Sequence, residues 1–154
     1  MIIIVTGPHE DWTDRDTIYR VLDEELLEFL NPDRDSNWED YTADSRAKFV
    51  LRHGVARGVD TIANDWGRER GVTVERFPAL WHGETGNAPY NAYAGPLRNR
   101  QMAEAQPRAD KCCAFWHGRM RKTGSREVSG TLDMMKIALQ HFIPLRVTPP
   151  SKKP

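Results

Sequence analysis

Two glycines and an arginine between residues 53 and 60 have the clearest potential in this chain for binding an anion. An apolar run precedes them and a helical pattern follows, so they are predicted to form a strand-to-helix turn. Gly54 and Gly58 permit positive φ and close approach of a ligand to main-chain N–H groups at a helix N-terminus. Arg57 adds a permanent positive charge. The alternative is a turn whose glycines serve geometry alone and whose Asp60 caps the helix.

A second group of polar residues follows Gly95 and Pro96, where another helix is predicted to begin. Arg98 lies in its first turn and is predicted to reach a phosphate, and Asn99 to bond a base or a ribose. A basic first turn that is merely solvated is the alternative. Cations near a helix N-terminus oppose the helix dipole, however, and a bound anion would relieve that conflict.

A third candidate is the segment 117–126, which holds four fixed positive charges and no acidic residue. Gly130 and Thr131 follow at the predicted start of a helix. Their N–H groups and the Thr131 hydroxyl are predicted to hold an anion that the basic residues attract. A solvated basic loop is the alternative reading of the charges.

Strand and helix patterns alternate along the chain. They predict an α/β, Rossmann-like, three-layer αβα fold around a mainly parallel sheet of about five strands. The predicted strands cover residues 2–6, 47–52, 72–77, 111–116 and 143–147, the last at an edge because Pro144 cannot donate to a ladder. Ligands of such sheets bind at the carboxyl edge, where the candidate turns 7–12, 53–60, 78–98 and 116–131 would meet.

Residues 1–147 are predicted to form a single domain, and residues 148–154 a disordered tail. Residues 117–128 are predicted to be a long loop. The first helix is predicted to begin near Thr13 or Asp14. The last helix is predicted over 130–141 with Ser129 as its N-cap, with Leu132, Met135 and Leu139 packing inward and Met134, Ile137 and Ala138 beside them.

Charge is balanced over the 154 residues, with 22 acidic and 22 basic side chains, which argues against a generic polyanion binder. The distribution is uneven, since residues 1–46 hold 13 of the acidic and 4 of the basic residues. The later loops can therefore present positive potential to an anion.

The chain has no apolar run of the ~20 residues that span a bilayer, and its N-terminus is predicted to be a strand rather than a signal peptide. Cys112 and Cys113 are adjacent in a strand pattern and are predicted to point to opposite faces of the sheet, which disfavours a disulfide or zinc site. None of the five histidines has metal-ligand spacing. We expect a cytoplasmic protein with no membrane contact, no metal and no cofactor.

The connection from Ala79 to Ala94 exceeds the usual ~2–6 residues and is predicted to be functional or lid-like. Its aromatic side chains, Trp81, Tyr90 and Tyr93, would suit single-stranded DNA as stacking platforms beside the basic loop. Overall neutrality makes nucleic acid the less favoured partner.

Taken together, these blocks resemble the SLOG superfamily, the Rossmann-like group that unites the Smf/DprA DNA-processing proteins with the Lonely-Guy phosphoribohydrolases, and specifically its YspA-like branch. The residues that carry the resemblance are Val5, Thr6, Gly7, Trp12 and Asp14, the turn from His53 to Asp60, Phe77, Pro78, Ala79 and Trp81, the helix start at Gly95, Pro96, Arg98, Asn99 and Met102, and the pair Gly130 and Thr131.

The resemblance implies a nucleotide or nucleotide-derived ligand at the carboxyl edge. It also implies self-association, and a compact divergent form of this kind would suit a phage or mobile element. The ligand-binding residues it predicts here are Gly7, Trp12, Gly54, Arg57, Gly58, Asp60, Arg98, Asn99, Gly130 and Thr131.

Catalysis is left open by the resemblance. Lonely-Guy enzymes pair an arginine like Arg98 with a glutamate three residues after the Gly-Thr pair, and here that position is Met134, with Asp133 one residue earlier. The leading hypothesis is a module that senses or sequesters a nucleotide. The alternative is an N-glycoside hydrolase acting on nucleoside monophosphates, with Asp60 or Asp133 as the carboxylate and Arg57 or Arg98 steadying the phosphate.

Overall fold

The structure is a computed structural model that describes residues 1–9, 12, 14–31, 37–118, 121–123 and 126–151. The strands are β1 (Ile2–Thr6), β2 (Val50–His53), β3 (Thr73–Arg76), β4 (Lys111–Phe115), β5 (Arg121–Thr123), β6 (Arg126–Val128) and β7 (Leu145–Thr148). The helices are α1 (Arg15–Leu30), α2 (Ala43–Arg46), α3 (Val59–Arg70), α4 (Ala94–Glu104) and α5 (Gly130–Gln140), and a 3₁₀ turn spans Trp38–Asp40.

Five strands form one sheet in the order β3-β2-β1-β4-β7, and all four neighbouring pairs are parallel. Strand β1 is central and buried along its whole length, as its continuous apolar sequence requires. Strand β7 lies at an edge beside β4, as predicted, although it begins one residue after Pro144. The α/β architecture expected from the alternating pattern is confirmed.

Helices cover both faces of the sheet. Ile3 and Val5 pack in one core cluster with buried residues of α1 and α3, whereas Ile2 and Ile4 pack in a second cluster with α4 and α5. This alternation follows from the two-residue period of a strand. It also separates the cysteines, because Cys113 lies in the first cluster and Cys112 in the second, as predicted. Both thiols are free and buried.

Helix α1 begins where the sequence predicts. The Asp14 side chain accepts a hydrogen bond from the Thr17 N–H at 3.1 Å and so caps the helix. The same carboxylate accepts two bonds from Ser151, at 2.7 Å from its N–H and 2.5 Å from its hydroxyl. Burial opposes ionisation of Asp14, but the Ser151 and Thr17 hydrogen bonds lower the pKa of the carboxyl well below its usual range. In the segment 148–154, predicted to be a disordered tail, Thr148 is the last residue of β7 and Ser151 bonds to Asp14 at the start of α1. Residues 152–154 lie outside the described part of the chain.

The predictions for the last third of the chain need two corrections. The predicted loop 117–128 contains an antiparallel pair, β5 with β6, which the basic composition concealed. The buried face of α5 is formed by Thr131, Met134, Ile137 and Ala138, whereas Leu139 is 60% exposed and Leu132 and Met135 are half-buried. The predicted inward stripe is therefore wrong by about one position. The helix carries two apolar stripes side by side, and packing against α4 and the sheet determines which of them is buried.

No helix in the described part of the chain combines the length and the apolar character needed to cross a membrane.

Candidate ligand-binding site

The turns that follow β1, β2 and β3 all leave the carboxyl edge of the parallel sheet, and α4 and α5 begin near that edge. The β1 turn contacts the β2 turn directly. The Val59 N–H donates to the Pro8 carbonyl at 3.3 Å, and a Cβ on Gly7 would lie 2.5 Å from a methyl of Val59. Gly58 has φ of +75°, and a Cβ there would lie 2.5 Å from the Pro8 oxygen. Both glycines are therefore required by close packing between turns.

Asp60 ties the β2 turn together. Its Oδ2 accepts hydrogen bonds from the Gly54 N–H at 3.0 Å and the Ala56 N–H at 3.1 Å. The helix N-cap is Gly58, which has no side chain to cap with, so the reading of Asp60 as a simple helix cap is wrong. The carboxylate instead satisfies N–H groups of the preceding turn.

The second carboxylate oxygen of Asp60, Oδ1, is buried and has no hydrogen-bond partner in the described part of the chain. Burial raises the pKa of Asp60 to about 6, although the Ala56 N–H, the charge of Arg98 and the Gly54 N–H all favour the ionised form. A buried carboxyl with an unpartnered oxygen is a costly feature, and such features concentrate at functional sites.

Besides Gly58, the residue of this turn with positive φ is Val55, at +58°, and not Gly54. A β-branched residue is strained in that region. The Val55 N–H donates to His53 Nδ1 at 3.0 Å, and His53 Nε2 lies 2.9 Å from Asn64 Oδ1. Burial lowers the pKa of His53, despite the bond to Asn64, so the neutral ring accepts at Nδ1 and donates at Nε2.

Gly54 is needed for a different reason, the proximity of Arg98. A Cβ on Gly54 would lie 2.6 Å from Arg98 Cζ. In the space that this leaves, Arg98 Nη1 donates a hydrogen bond to the Gly54 carbonyl oxygen. The glycine thus admits a guanidinium from a helix 44 residues further along the chain.

Arg98 is half-buried at the start of α4. Its Nε donates to Asn99 Oδ1 at 2.9 Å. Burial lowers the pKa of Arg98, and the charges of Asp60 and Asp133 oppose that effect. Both hydrogen bonds go to neutral oxygens, so within the described residues the guanidinium has no direct ion pair.

Asn99 extends this network to α5. The buried amide donates from Nδ2 to Asp133 Oδ2 at 2.9 Å and to the Gly130 carbonyl at 3.3 Å. Asn99 therefore joins the start of α4 to the start of α5. The prediction was that this amide bonds a base or a ribose. In the structure both its oxygen and its nitrogen instead bond to other groups of the protein.

Helix α5 presents its first turn beside this network. Ser129 caps it by accepting from the Leu132 N–H at 3.1 Å, as predicted. Gly130 is exposed, and a Cβ there would meet nothing within 4 Å. Thr131 is buried. Gly130 therefore borders open space at the N-terminus of the helix, the end of a helix that anion sites use.

The remaining predicted site residues are less closely connected. Arg57 is exposed on the β2 turn. Trp12 is buried, donates from Nε1 to the Asp14 carbonyl at 3.0 Å, and meets Phe115 edge-on with ring centroids 5.8 Å apart. It belongs to the core beneath the edge. In the basic loop, Arg119 lies outside the described residues, and only the backbone of β5 and β6 is described.

The Lonely-Guy glutamate position is occupied by Met134, which is fully buried in the second core cluster. Asp133 is half-buried and directed to Asn99. Among the described residues there is no group of three or more His, Cys, Asp or Glu side chains that could hold a metal ion.

A pocket of about 260 Å³ between the long loop and α4 was not predicted from the sequence. Its lining residues are Pro78, Leu80, Gly83, Glu84, Asn91, Ala94, Leu97, Arg98 and Gln101. The unusual length of the loop indicates a functional segment, but the sequence of the loop does not show which of its residues face α4. Arg98 is shared between this pocket and the network at the sheet edge.

The sequence is similar to those of known proteins. Residues 39–83 match the model of the YAcAr family, described as the YspA, cpYpsA-related SLOG family. The matched segment contains β2, the turn held by Asp60, and α3. The Gene 61 protein of Mycobacterium phage D29 is 33% identical over 124 residues, which cover 76% of this chain and 78% of the phage protein.

Proposed function

Because this chain belongs to the YspA, cpYpsA-related SLOG family, with a phage-encoded relative, we propose that it binds a nucleotide or nucleotide-derived ligand at the carboxyl edge of its sheet, as a sensor or a sequestering module. The observation that carries the proposal is the hydrogen-bond network from the β2 turn through Arg98 and Asn99 to the start of α5. Segments distant in sequence are joined there around one cation.

Arg98 is the central element of the proposed site. Its charge is partly desolvated, and its hydrogen bonds to Gly54 and Asn99 leave Nη2 without a partner among the described residues. A phosphate would accept a hydrogen bond from Nη2, and Arg favours phosphate because its planar donors match the geometry of the oxygens. Gly130 and Thr131 would add N–H groups at the start of α5. Arg57 would attract the anion from the exposed turn.

A second candidate function, hydrolysis of the N-glycosidic bond of a nucleoside monophosphate, is supported by one observation. Asp133 is held by Asn99 in the same network as Arg98, so a carboxylate is available beside the proposed phosphate site. Asp60 is less suited to that role because its Oδ2 already accepts two turn N–H groups. We favour binding, since Met134 leaves the Lonely-Guy position without a carboxylate.

The test is calorimetric titration of the protein with ribose 5-phosphate and a panel of nucleoside 5′-monophosphates, accompanied by chromatographic detection of free base. We expect saturable binding and no release of base. Arg98→Ala should lower affinity at least tenfold, the effect of losing a charge-assisted hydrogen bond to phosphate. Arg57→Ala should also lower affinity, because it removes a charge that attracts the anion.

Arg68→Ala is the matched control, because Arg68 is exposed at the opposite end of α3 and its loss changes the net charge equally. Unchanged affinity in both Arg57→Ala and Arg98→Ala would refute the proposed site. Release of base that disappears in Asp133→Asn would establish hydrolysis instead.

We also propose that the protein self-associates through the second apolar stripe of α5, in which Leu132 and Met135 are half-buried and Leu139 and the following Phe142 are exposed. Phe142 is 88% exposed and has φ of +58°, a conformation that helix ends normally give to glycine. A strained, exposed phenylalanine is costly unless it has a contact. The formal net charge of zero removes long-range repulsion between copies, which favours a second copy as the occupant.

The two free, buried cysteines support a reducing, cytoplasmic setting for this function.

A further inference from the structure

The pocket between α4 and the loop 78–93 adjoins the proposed phosphate site, because Arg98 belongs to both. On α4 the lining residues Ala94, Leu97, Arg98 and Gln101 follow helical spacing, so one face of the helix forms one wall. The loop forms the other wall. A ligand whose phosphate meets Arg98 at the sheet edge could extend its remaining atoms into this space.

The loop is held in position by contacts within itself and with α4. Trp81 and Tyr90 stack with centroids 5.7 Å apart and an interplanar angle of 8°. The Asn91 N–H donates to the Trp81 carbonyl at 2.7 Å, which closes the loop at its base. Trp81 also rests on α4, since a Cβ on Gly95 would lie 2.9 Å from its ring. The pocket is therefore formed before any ligand arrives.

The lining combines apolar surface with a few polar groups, which is the usual character of small-molecule sites. Pro78, Leu80 and Leu97 offer apolar contact to a flat ring. Glu84 offers a carboxylate, which when ionised only accepts hydrogen bonds. A carboxylate selects neighbouring N–H donors, because two parallel N–H···O bonds match its two oxygens.

We propose that this pocket receives the nucleobase of the ligand and that Glu84 makes it selective for a base with adjacent N–H donors, the arrangement that guanine presents. The inference rests on the proposed function, since it assigns the base-binding half of the same site. Glu84 acts here as a specificity-determining residue, and the phosphate stays with Arg98.

The experiment compares three probes by calorimetry: guanosine 5′-monophosphate, inosine 5′-monophosphate, which lacks only the exocyclic amino group, and ribose 5-phosphate, which lacks the base. We expect the guanosine nucleotide to bind about fivefold more tightly than the inosine nucleotide, a modest ratio because Glu84 is exposed. Glu84→Gln should abolish this ratio and leave the affinity for ribose 5-phosphate unchanged. Glu28→Gln, an equal change of charge on the exposed side of α1, should alter neither.

A second variant tests the pocket without Glu84. Leu97 is 52% exposed, so Leu97→Trp should fill the pocket without disturbing the core, and should weaken nucleotide binding at least tenfold while sparing ribose 5-phosphate. Val147→Trp, at a comparably exposed site on β7, is the control.

Three results would overturn the assignment. Equal affinity for all three probes, with ribose 5-phosphate still dependent on Arg98, would refute the base pocket and leave the proposed function intact. Failure of every probe to bind would refute both. A single-stranded oligonucleotide that binds more tightly than any mononucleotide, with an affinity lost in Trp81→Ala, would assign the aromatic loop to DNA.

Discussion

Replacing Asp60 by asparagine should make the protein more stable at neutral pH and should remove a pH dependence that the wild type has. The carboxyl is buried, and burial raises its pKa from 3.8 to about 6. The amide has nearly the same shape and can still accept hydrogen bonds from the Gly54 and Ala56 N–H groups. The substitution therefore removes a buried charge while keeping the turn.

The magnitude follows from the pKa difference between the folded and unfolded states. Well below pH 3.8 both states hold the proton and Asp60 contributes no pH dependence. Between 3.8 and about 6 the unfolded chain ionises while the folded protein keeps the proton, so stability falls as pH rises. Two pH units at 1.36 kcal/mol each give a loss of about 3 kcal/mol, complete above about pH 6.

Urea denaturation of the wild type and of Asp60→Asn, at about pH 4 and about pH 7.5, measures this difference. We expect the variant to gain about 2–3 kcal/mol over the wild type between the two pH values, slightly less than the full effect because the unfolded chain is already partly ionised at about pH 4. Subtracting the free energy of unfolding of the wild type from that of the variant at each pH cancels the contributions of the other carboxyls. One of these is Asp14, whose lowered pKa changes stability with pH in the opposite direction. Asp44→Asn, at an exposed carboxyl, should show no such gain. An equal free-energy difference at both pH values would refute the reasoning.

Three further substitutions test the site and the exposed surface. Gly54→Ala should push Arg98 away from the Gly54 carbonyl, which should lower the free energy of unfolding by about 1–2 kcal/mol and nucleotide affinity at least tenfold. Urea denaturation measures the first effect and calorimetry the second. Wild-type affinity in this variant would contradict the proposed network. Gly130→Ala adds a methyl to open space at the start of α5, so stability should stay equal or rise by up to about 1 kcal/mol while calorimetry finds weaker nucleotide binding. Phe142→Gly should relieve about 1 kcal/mol of backbone strain in the monomer and convert a dimer to monomers in sedimentation velocity, and unchanged sedimentation would argue against the proposed interface.

Local sequence was sufficient for the architecture. The apolar run of β1 and the neighbouring strand patterns, each followed by a helical one, predicted a parallel sheet with helices on both faces. This works because the spacing of apolar residues along a segment reflects which of its sides are buried. Asp14 and Ser129 marked helix starts correctly, since a capping side chain acts within three residues. The site was predicted as a set of turns on one edge by the same local reasoning.

Other features depended on contacts between segments far apart in the chain. Gly54 owes its role to Arg98, Val55 takes the left-handed conformation expected of a glycine, and Trp12 packs into the core. Periodicity likewise could not decide which apolar stripe of α5 faces α4. Sequence patterns record how a residue relates to its neighbours in the chain, whereas steric exclusion between distant atoms and the sharing of buried surface exist only once the chain has folded.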